Sequence, residues 1–497
     1  VNILLNRQSS EPVYLQIYNY LSRLIHSGKL QAGQKLPSIR GLSQNTQVNK
    51  LTVIEAYGLL EAEGLIHARP GSGYFVNHTT TSGFKLHSTF APAQEVIISE
   101  KGGSFIEQYT ASLQAQHYPD VIDFSSGFPR NFGLDHLQKI AKRAMTKSID
   151  GLFRYDFPQG QLVLRQLIAQ ILVQQGLEVS PEEIIITNGS EQALSLTMQY
   201  YIQPGDWVIV ETPTYHGALG ILENLGAKVI GIPMTAEGMN LELLEIYLKS
   251  HRPKLIYTIS TLHNPTGITT SQTHRQNLLA LAQQYECRIL EDNAYEGLNF
   301  EPVPAPIKAL DINDLVIYIS TFSKTLMPGL RVGYMVVTGE HNRHLIKQKT
   351  LHDMHVSTVS QAIVSEFLAS GHYRRHLNRL RTSNLQSRNS MLQALELYFP
   401  ESITWTIPKG GLFLWTHLPD YLPIQEICRE ALSYNILVAN GAAFFPGGGY
   451  SAMRLNFCQT PENIEQGIEV LGRLLKKYLV SKLNIKTNEQ KFKLVAC

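Results

Sequence analysis

STFSKTLMPGLRVGY, residues 320–334, sets a lysine, Lys324, behind a polar run at the end of a β-branched segment, with an arginine, Arg331, seven residues further on. Taken by itself, such a pair reads better as two surface cations. Four other strings change the reading: TNGSEQAL (187–194), TPTYHG (212–217), HNPTG (263–267) and EDNAYEG (291–297). Each follows a short β-branched run. The runs are IIIT (184–187), WVIV (207–210), KVIGI (228–232), LIYTI (255–259), RILE (288–291), VIYI (316–319) and GYMVV (333–337). Amphipathic helical stretches separate most of them, the rhythm of an α/β domain with a mostly parallel sheet. Open sheets of that kind bind ligands at the carboxyl ends of their strands, where these strings sit.

The expected fold class is therefore α/β, with a mostly parallel seven-stranded sheet. A long helical region follows from about 340. Then come strands at WTI (405–407), GLFLW (411–415), ILVA (436–439) and MRLNF (453–457), which make a smaller α+β C-terminal subdomain. A final helix is expected near 462–480, and SKLNIKTNEQKFKLVAC (481–497) reads as a frayed end. Gly410 and Gly411 in PKGGLFLW either let backbone approach a ligand or mark a bulge.

Together these strings resemble the class I aminotransferases of fold type I, from about residue 120 to 475. The resemblance implies pyridoxal 5'-phosphate as cofactor, and each role it carries has a chemical reason. The cofactor is an aldehyde, and Lys324 supplies the amine that holds it as a Schiff base. Asp292 pairs with the pyridine nitrogen and keeps it protonated. Asn264 and Tyr295 hydrogen-bond the ring's phenolic oxygen, and Tyr215 stacks on the ring. Arg331, Thr321, Ser323 and the helix N-terminus at Ser190 and Glu191 hold the phosphate. Tyr155, in FRYDFPQG (153–160), reaches the cofactor phosphate of the neighbouring subunit, which implies a homodimer. Arg454, in MRLNF, binds the carboxylate of an amino-acid effector. His216, His263 and His352 are assigned to packing or surface.

The N-terminal 78 residues have a different pattern. Pro12 can open a helix bearing Leu15, Tyr18, Leu21 and Ile25 at helical spacing, with Gly28 as its stop. Ser38 caps a short second helix, and Asn49 caps a third with Val53, Tyr57 and Leu60 on one face and Gly64 at its end. IHARPGSGYFV (66–76) reads as a hairpin turning at Gly71 and Gly73. Two helices joined by a tight turn, followed by a wing, make a helix-turn-helix, a pattern that also occurs in packing modules that bind no nucleic acid. In detail, GKLQAGQKLPSIR (28–40), LTVIEAYGLLEAEGLI (51–66) and GSGYFV (71–76) resemble the winged helix of the GntR family. That resemblance implies duplex-DNA contacts from Ser38, Arg40, Lys50 and Thr52, with Gly73 bringing the wing backbone close. The family's recognition helix usually starts with arginine. Lys50 keeps the charge but lacks the planar fork for bidentate base contact. Arg69 reads as a solvated wing residue.

The two resemblances combine into the architecture of MocR-type regulators, a GntR subfamily. The expected domains are a winged helix over 1–78, a Ser/Thr/Gly-rich linker over 79–104, and an aminotransferase-like domain over 105–497. Fully extended, the linker spans about 85 Å at ~3.3 Å per residue. It can seat the winged helix on its own subunit or on the partner, and the resemblance favours the partner. A dimer would read an operator of two half-sites. Three functions remain open on the sequence. The chain is a regulator sensing an amino acid or amine through the cofactor aldimine, a working aminotransferase with a winged helix attached, or a DNA-binding protein whose large domain only dimerises.

Composition agrees with a globular chain: 43% hydrophobic and 17% charged residues over 497 positions, unlike a disordered or fibrous sequence. Net charge is only +2, but residues 1–78 carry seven Lys/Arg against four Asp/Glu, a local +3 that suits a DNA partner. The four cysteines, Cys287, Cys428, Cys458 and Cys497, are too far apart for metal-ligand spacing, and no metal is expected. The N-terminal VNILLNRQSSEP has no apolar signal core, and no run of about 18 apolar residues occurs, so neither export nor a membrane span is expected and the location is cytoplasmic.

Overall fold

The computed structural model describes residues 12–26, 29–69, 72–77, 96–99, 120–129, 134–147 and 149–495, with a few isolated positions between them. Gly28, Gly71 and most of the 79–104 stretch lie outside these residues.

Three helices form the N-terminal unit: α1 (Val13–His26), α2 (Ile39–Thr46) and α3 (Lys50–Ala62). The Ser38 side chain accepts from the Gly41 amide and Asn49 accepts from Leu51, so both expected caps are made. Each such cap is worth about 1 kcal/mol. The αL turn at Gln47 (φ 53°) joins α2 to α3. Ile17, Leu21, Leu42, Val53, Tyr57 and Leu60 are fully buried between the helices. At about 1.5–3 kcal/mol per buried large side chain, this unit has a core of its own. Strands Ile66–Arg69 and Gly73–Val76 pair antiparallel as the wing.

The large domain is built on a sheet in which all seven expected runs are strands. The order across it is 228–235, 207–212, 255–258, 288–292, 316–321, 333–336 and 184–187. Six of these run in one direction; 333–336 alone is reversed, antiparallel to both its neighbours. Two more strands make nine: Gly238–Met239 folds back on 228–235, and Ile97–Ser99 adds antiparallel at its outer edge. The second corrects the reading of 79–104 as linker throughout. A three-residue run is too short to show a period, and its pairing partner lies 130 residues away. Helices cover both faces, and the sheet's fully buried strands carry Ile, Val and Leu on both sides, as parallel sheets require.

The C-terminal subdomain forms an antiparallel sheet of 404–405, 413–417, 452–456 and 439–440. Its core runs into the long helix His372–Tyr398 and the final helix Pro461–Val495. That helix continues through most of the stretch read as frayed. The helix α3 packs against His372–Tyr398 of the same chain. Gly410 makes a bridge to Asn299, and a Cβ there would stand 2.6 Å from the Asn299 Cα. The close approach that demands glycine is therefore to another strand of chain, and the ligand reading of this position gives way to the packing one.

Candidate functional site

The five strings do meet at one edge of the sheet. Strand 316–321 ends at Thr321, and the turn after it carries Ser323 and Lys324. Strand 288–292 ends on Asp292, next to it in the sheet. Asp292 is buried and its carboxylate accepts from the Tyr257 hydroxyl at 2.9 Å and from the Ala294 amide at 3.1 Å. Burial pushes its pKa up to about 7, although the Tyr257 hydrogen bond pulls the other way. Burial likewise brings the Lys324 ammonium down to about 8. Glu191 opposes that shift, and Arg454 and Arg331 add to it. The Lys324 Nζ lies 5.8 Å from the Tyr295 ring centre.

Next to the lysine is an anion cup. Thr321 Oγ1 donates to Ser323 Oγ at 3.0 Å. The Arg331 guanidinium donates to Ser323 Oγ at 3.4 Å and to the Asn188 carbonyl at 3.1 Å. Arg331 itself is held in the left-handed region (φ 53°), a conformation that a non-glycine residue adopts only when its surroundings impose it. The helix Gly189–Tyr201 begins here, and its N-cap residue Asn188 makes no side-chain cap hydrogen bond. A Cβ on Gly189 would stand 2.5 Å from an Arg331 nitrogen; only glycine leaves room for the guanidinium. This uncapped helix start, with an arginine and two hydroxyls, has the chemistry of a phosphate site.

On the other side, Asn264 links two groups. Its amide nitrogen donates to the Tyr295 hydroxyl at 3.4 Å, and its oxygen accepts from Arg454 at 2.9 Å. Arg454 is 3% exposed. A second nitrogen donates to the Ser125 carbonyl, and its Nε has no hydrogen-bond partner among the described residues. The guanidinium lies between the rings of Phe413 and Phe444, 4.0 and 5.0 Å from their centres. Burial lowers its pKa to about 10, and it keeps its charge at neutral pH. A buried cation with an unused donor is a receptor for an anionic group.

Sequence reasoning missed several members of this site. Tyr257 holds Asp292 from mid-strand, where it reads as core. Tyr215 donates a short hydrogen bond to Glu191, so the two residues form one unit. Gly127, from a segment with no motif, brings its backbone near Lys324, where an added Cβ would lie 3.6 Å from Nζ. His216, assigned to packing, is packed between Tyr215 and Phe444, but it also lines the pocket. Burial and then the charges of Arg454 and Lys324 hold it neutral. His263 is fully buried with its Nε2 3.1 Å from Glu211, and His352 is exposed. Tyr155 is not brought to this chain's pocket. It is 84% exposed beside Phe153 and Phe157.

The DNA-binding candidates form a separate surface. Ser38, Arg40 and Lys50 are exposed at the starts of α2 and α3, and Thr52 is half-buried in the first turn of α3. Gly73 opens the second wing strand with φ 102°. Arg69 lies over the Phe75 ring at 4.6 Å. Leu51 and Ile54 are also exposed on α3 (69% and 45%), apolar groups of the kind that meet thymine methyls.

Comparison with known proteins agrees with this division. Residues 119–471 match the aminotransferase class I and II family, and residues 13–76 match the bacterial regulatory proteins of the gntR family. The uncharacterized HTH-type transcriptional regulator YdcR of Escherichia coli is 35% identical over 475 residues, covering 94% of this chain and 99% of its own. YdfD of Bacillus subtilis, of the same description, is 32% identical, covering 94% and 97%. Among solved structures, the multiple substrate aminotransferase of Thermococcus profundus superposes with a TM-score of 0.71 at 32% identity, over 75% of this chain and 95% of that one. The α-aminoadipate aminotransferase LysN of Thermus thermophilus, complexed with N-(5'-phosphopyridoxyl)-L-leucine, gives 0.70 at 32%, over 76% and 98%. The cup, the buried aspartate and the lysine fit pyridoxal phosphate, and the chain belongs to the family that joins a GntR-type winged helix to a class I/II aminotransferase domain, the MocR-type architecture.

Proposed function

We propose that the chain is a transcriptional regulator that binds duplex DNA through residues 1–78 and senses an amino acid or amine through pyridoxal phosphate held in the 105–497 domain. The observation that carries this reading is the convergence of Lys324, Asp292, the Arg331 cup and a buried, under-used Arg454 in a chain that also bears a winged helix. Bound there, the cofactor supplies an aldehyde that takes up amines. Lys324 holds it, with its proton made easier to lose by burial and two neighbouring arginines. Asp292, fixed by Tyr257, faces the ring nitrogen, and the positive charge there would bring the carboxylate back to its ionised form. Tyr215 and the Asn264–Tyr295 pair fix the ring, while Thr321, Ser323, Arg331, Ser190 and Glu191 surround the phosphate. Arg454 takes the effector's carboxylate. Ser38, Arg40, Lys50, Thr52 and Gly73 contact DNA.

The working unit is a homodimer in the cytoplasm, with Tyr155 completing the partner's cup and two winged helices reading two half-sites. The exposed Phe153, Tyr155 and Phe157 support that interface, since a contiguous aromatic patch is costly to leave in water. An effector acts only by binding two conformations unequally. The test is a screen of amino acids and amines against the protein's visible absorption, with DNA affinity measured alongside. A ligand that shifts both supports the regulator. Sustained keto-acid production would support the alternative, an active aminotransferase, which the complete set of cofactor-facing groups also permits. Absence of any cofactor band would leave a dimerisation domain.

A further inference from the structure

The helix Gly339–Asp353 ends on a carboxylate. A helix C-terminus is the negative end of the backbone dipole, so an acid there is disfavoured by its own helix. Asp353 finds its partners elsewhere. One carboxylate oxygen accepts from the Lys349 ammonium at 2.7 Å, one turn back on the same helix. The Lys349 side chain is fully buried and that of Asp353 is 19% exposed. The other oxygen accepts from two side-chain amides, Asn188 Nδ2 at 2.5 Å and Gln192 Nε2 at 2.8 Å. Both amides belong to the start of the helix Gly189–Tyr201, where the Asn188 carbonyl meets Arg331.

Each link in this cluster has one possible direction. A carboxylate only accepts and an ammonium only donates. The Asn188 backbone amide donates to Gln192 Oε1 at 2.9 Å, which turns the Gln192 nitrogen to Asp353. The Asn188 carboxamide is engaged by Asp353 and makes no cap on the helix that follows. Asn188 is thus fixed at its backbone amide and at its side chain. Its carbonyl, the group left over, accepts from Arg331 at 3.1 Å. Gly333 backs the same turn: a Cβ there would stand 2.5 Å from the Gly189 carbonyl carbon. The turn 188–189 is therefore backed by the sheet and tied by Asp353. Asp353 is held in its turn, because letting go of Lys349 would leave a buried charge unpaired.

We propose that Asp353, buttressed by Lys349, is a positioning residue of the phosphate cup: through Asn188 and Gln192 it sets where the Arg331 guanidinium stands, and so the affinity for the phosphate end of the cofactor. This role rests on the cofactor reading of the site. The test compares two ligands, pyridoxal phosphate and pyridoxal, which lacks the phosphate. Both dissociation constants are read from the visible absorption of the full-length apoprotein, and their ratio is the preference for phosphate. Asp353 and Lys349 are changed together, so that no buried ammonium is left alone. In Asp353→Leu/Lys349→Met the affinity for pyridoxal phosphate falls about tenfold, the worth of one charge-assisted hydrogen bond, and the affinity for pyridoxal is unchanged. Asp353→Asn/Lys349→Met keeps an oxygen facing the two amides without the charges, and its preference stays near the wild-type one. Gln192→Leu cuts the tie from the other helix and lowers the preference, even where the paired variants do not fold. Equal losses for both ligands, which a merely structural role would give, overturn the proposal. So does an unchanged preference in Gln192→Leu, or one that falls as far with asparagine as with leucine at 353. A wild type that binds both ligands alike would instead overturn the assignment of the cup to a phosphate, and with it the role of Asp353.

Discussion

The winged helix and the cofactor pocket use charge in opposite surroundings. Arg40 and Lys50 stand in water at helix starts on a unit whose core lies elsewhere. Asp292, Lys324 and Arg454 are withdrawn from water, and burial is the first cause of each of their shifted pKa values. On the surface, each cation adds its own screened contribution and can be removed without disturbing the rest. In the pocket the charges set one another's state: Lys324 feels Glu191, Arg454, Arg331 and Asp292 at once. Function in the first region should therefore decay gradually under mutation, and in the second it should fail outright or change character.

The sharpest test of that contrast is Lys324→Ala. Removal of the amine that holds the aldehyde should abolish the visible band and trapping by borohydride. DNA binding by the effector-free protein should be unaffected, because α2 and α3 have their own core. A variant that is still yellow and still trapped would reassign the lysine.

Arg454→Lys comes next. A carboxylate fits the planar fork of a guanidinium, and lysine offers only a point charge. Charge-assisted hydrogen bonds are worth about 1.5–3 kcal/mol, so the concentration of amino acid needed to shift the spectrum should rise about 10- to 100-fold. Cofactor binding should change far less. Equal midpoints in variant and wild type would show that another group holds the carboxylate, or that the effector is a simple amine.

The pH dependence of the pocket gives a smaller factor. Only the neutral amine of Lys324 attacks the aldehyde, and its pKa is lowered to about 8. The rate of cofactor uptake by the apoprotein should therefore level off above about pH 8 and fall roughly tenfold per unit below it. Arg454→Gln removes a like charge and should move the midpoint upward. A midpoint near the ordinary lysine value would mean that burial and the arginines leave Lys324 unchanged.

The contrast also explains what could be read in the sequence. The seven sheet strands, both helix caps and the five strings at the strand ends were legible because each is local: a β-branched run, a Ser or Asn at a helix start, a motif after a strand. The members that were missed act across distance. Tyr257 meets Asp292 from 35 residues away, and Gly127 meets Lys324 from nearly 200 away. Strand 97–99 shows no period of its own and is a strand only because 228–235 offers it an edge. Asp353 reads as an ordinary acid at a helix end, and nothing in the sequence says that it meets Asn188, 165 residues away. Tyr215 and Glu191 each carried a role, yet their hydrogen bond depends on two helix starts meeting.

The smallest effect belongs to the exposed region and tests whether it is as additive as the comparison holds. Arg40 projects from the first turn of α2, next to the capped N-terminus at Ser38, where a phosphate would also meet the helix dipole. If the guanidinium neutralises one phosphate, it releases about 0.9 of a condensed counterion, and Arg40→Ala should lower the slope of log affinity against log salt by that amount. Affinity itself should fall only several-fold at moderate salt, about equally on operator and unrelated duplexes, because a phosphate contact carries no sequence information. The measurement is a salt titration of wild type and variant on both duplexes. An unchanged slope would remove Arg40 from the phosphate contacts. A loss confined to the operator would mean that it reads a base, and the first turn of α2 would then share the work of recognition with α3.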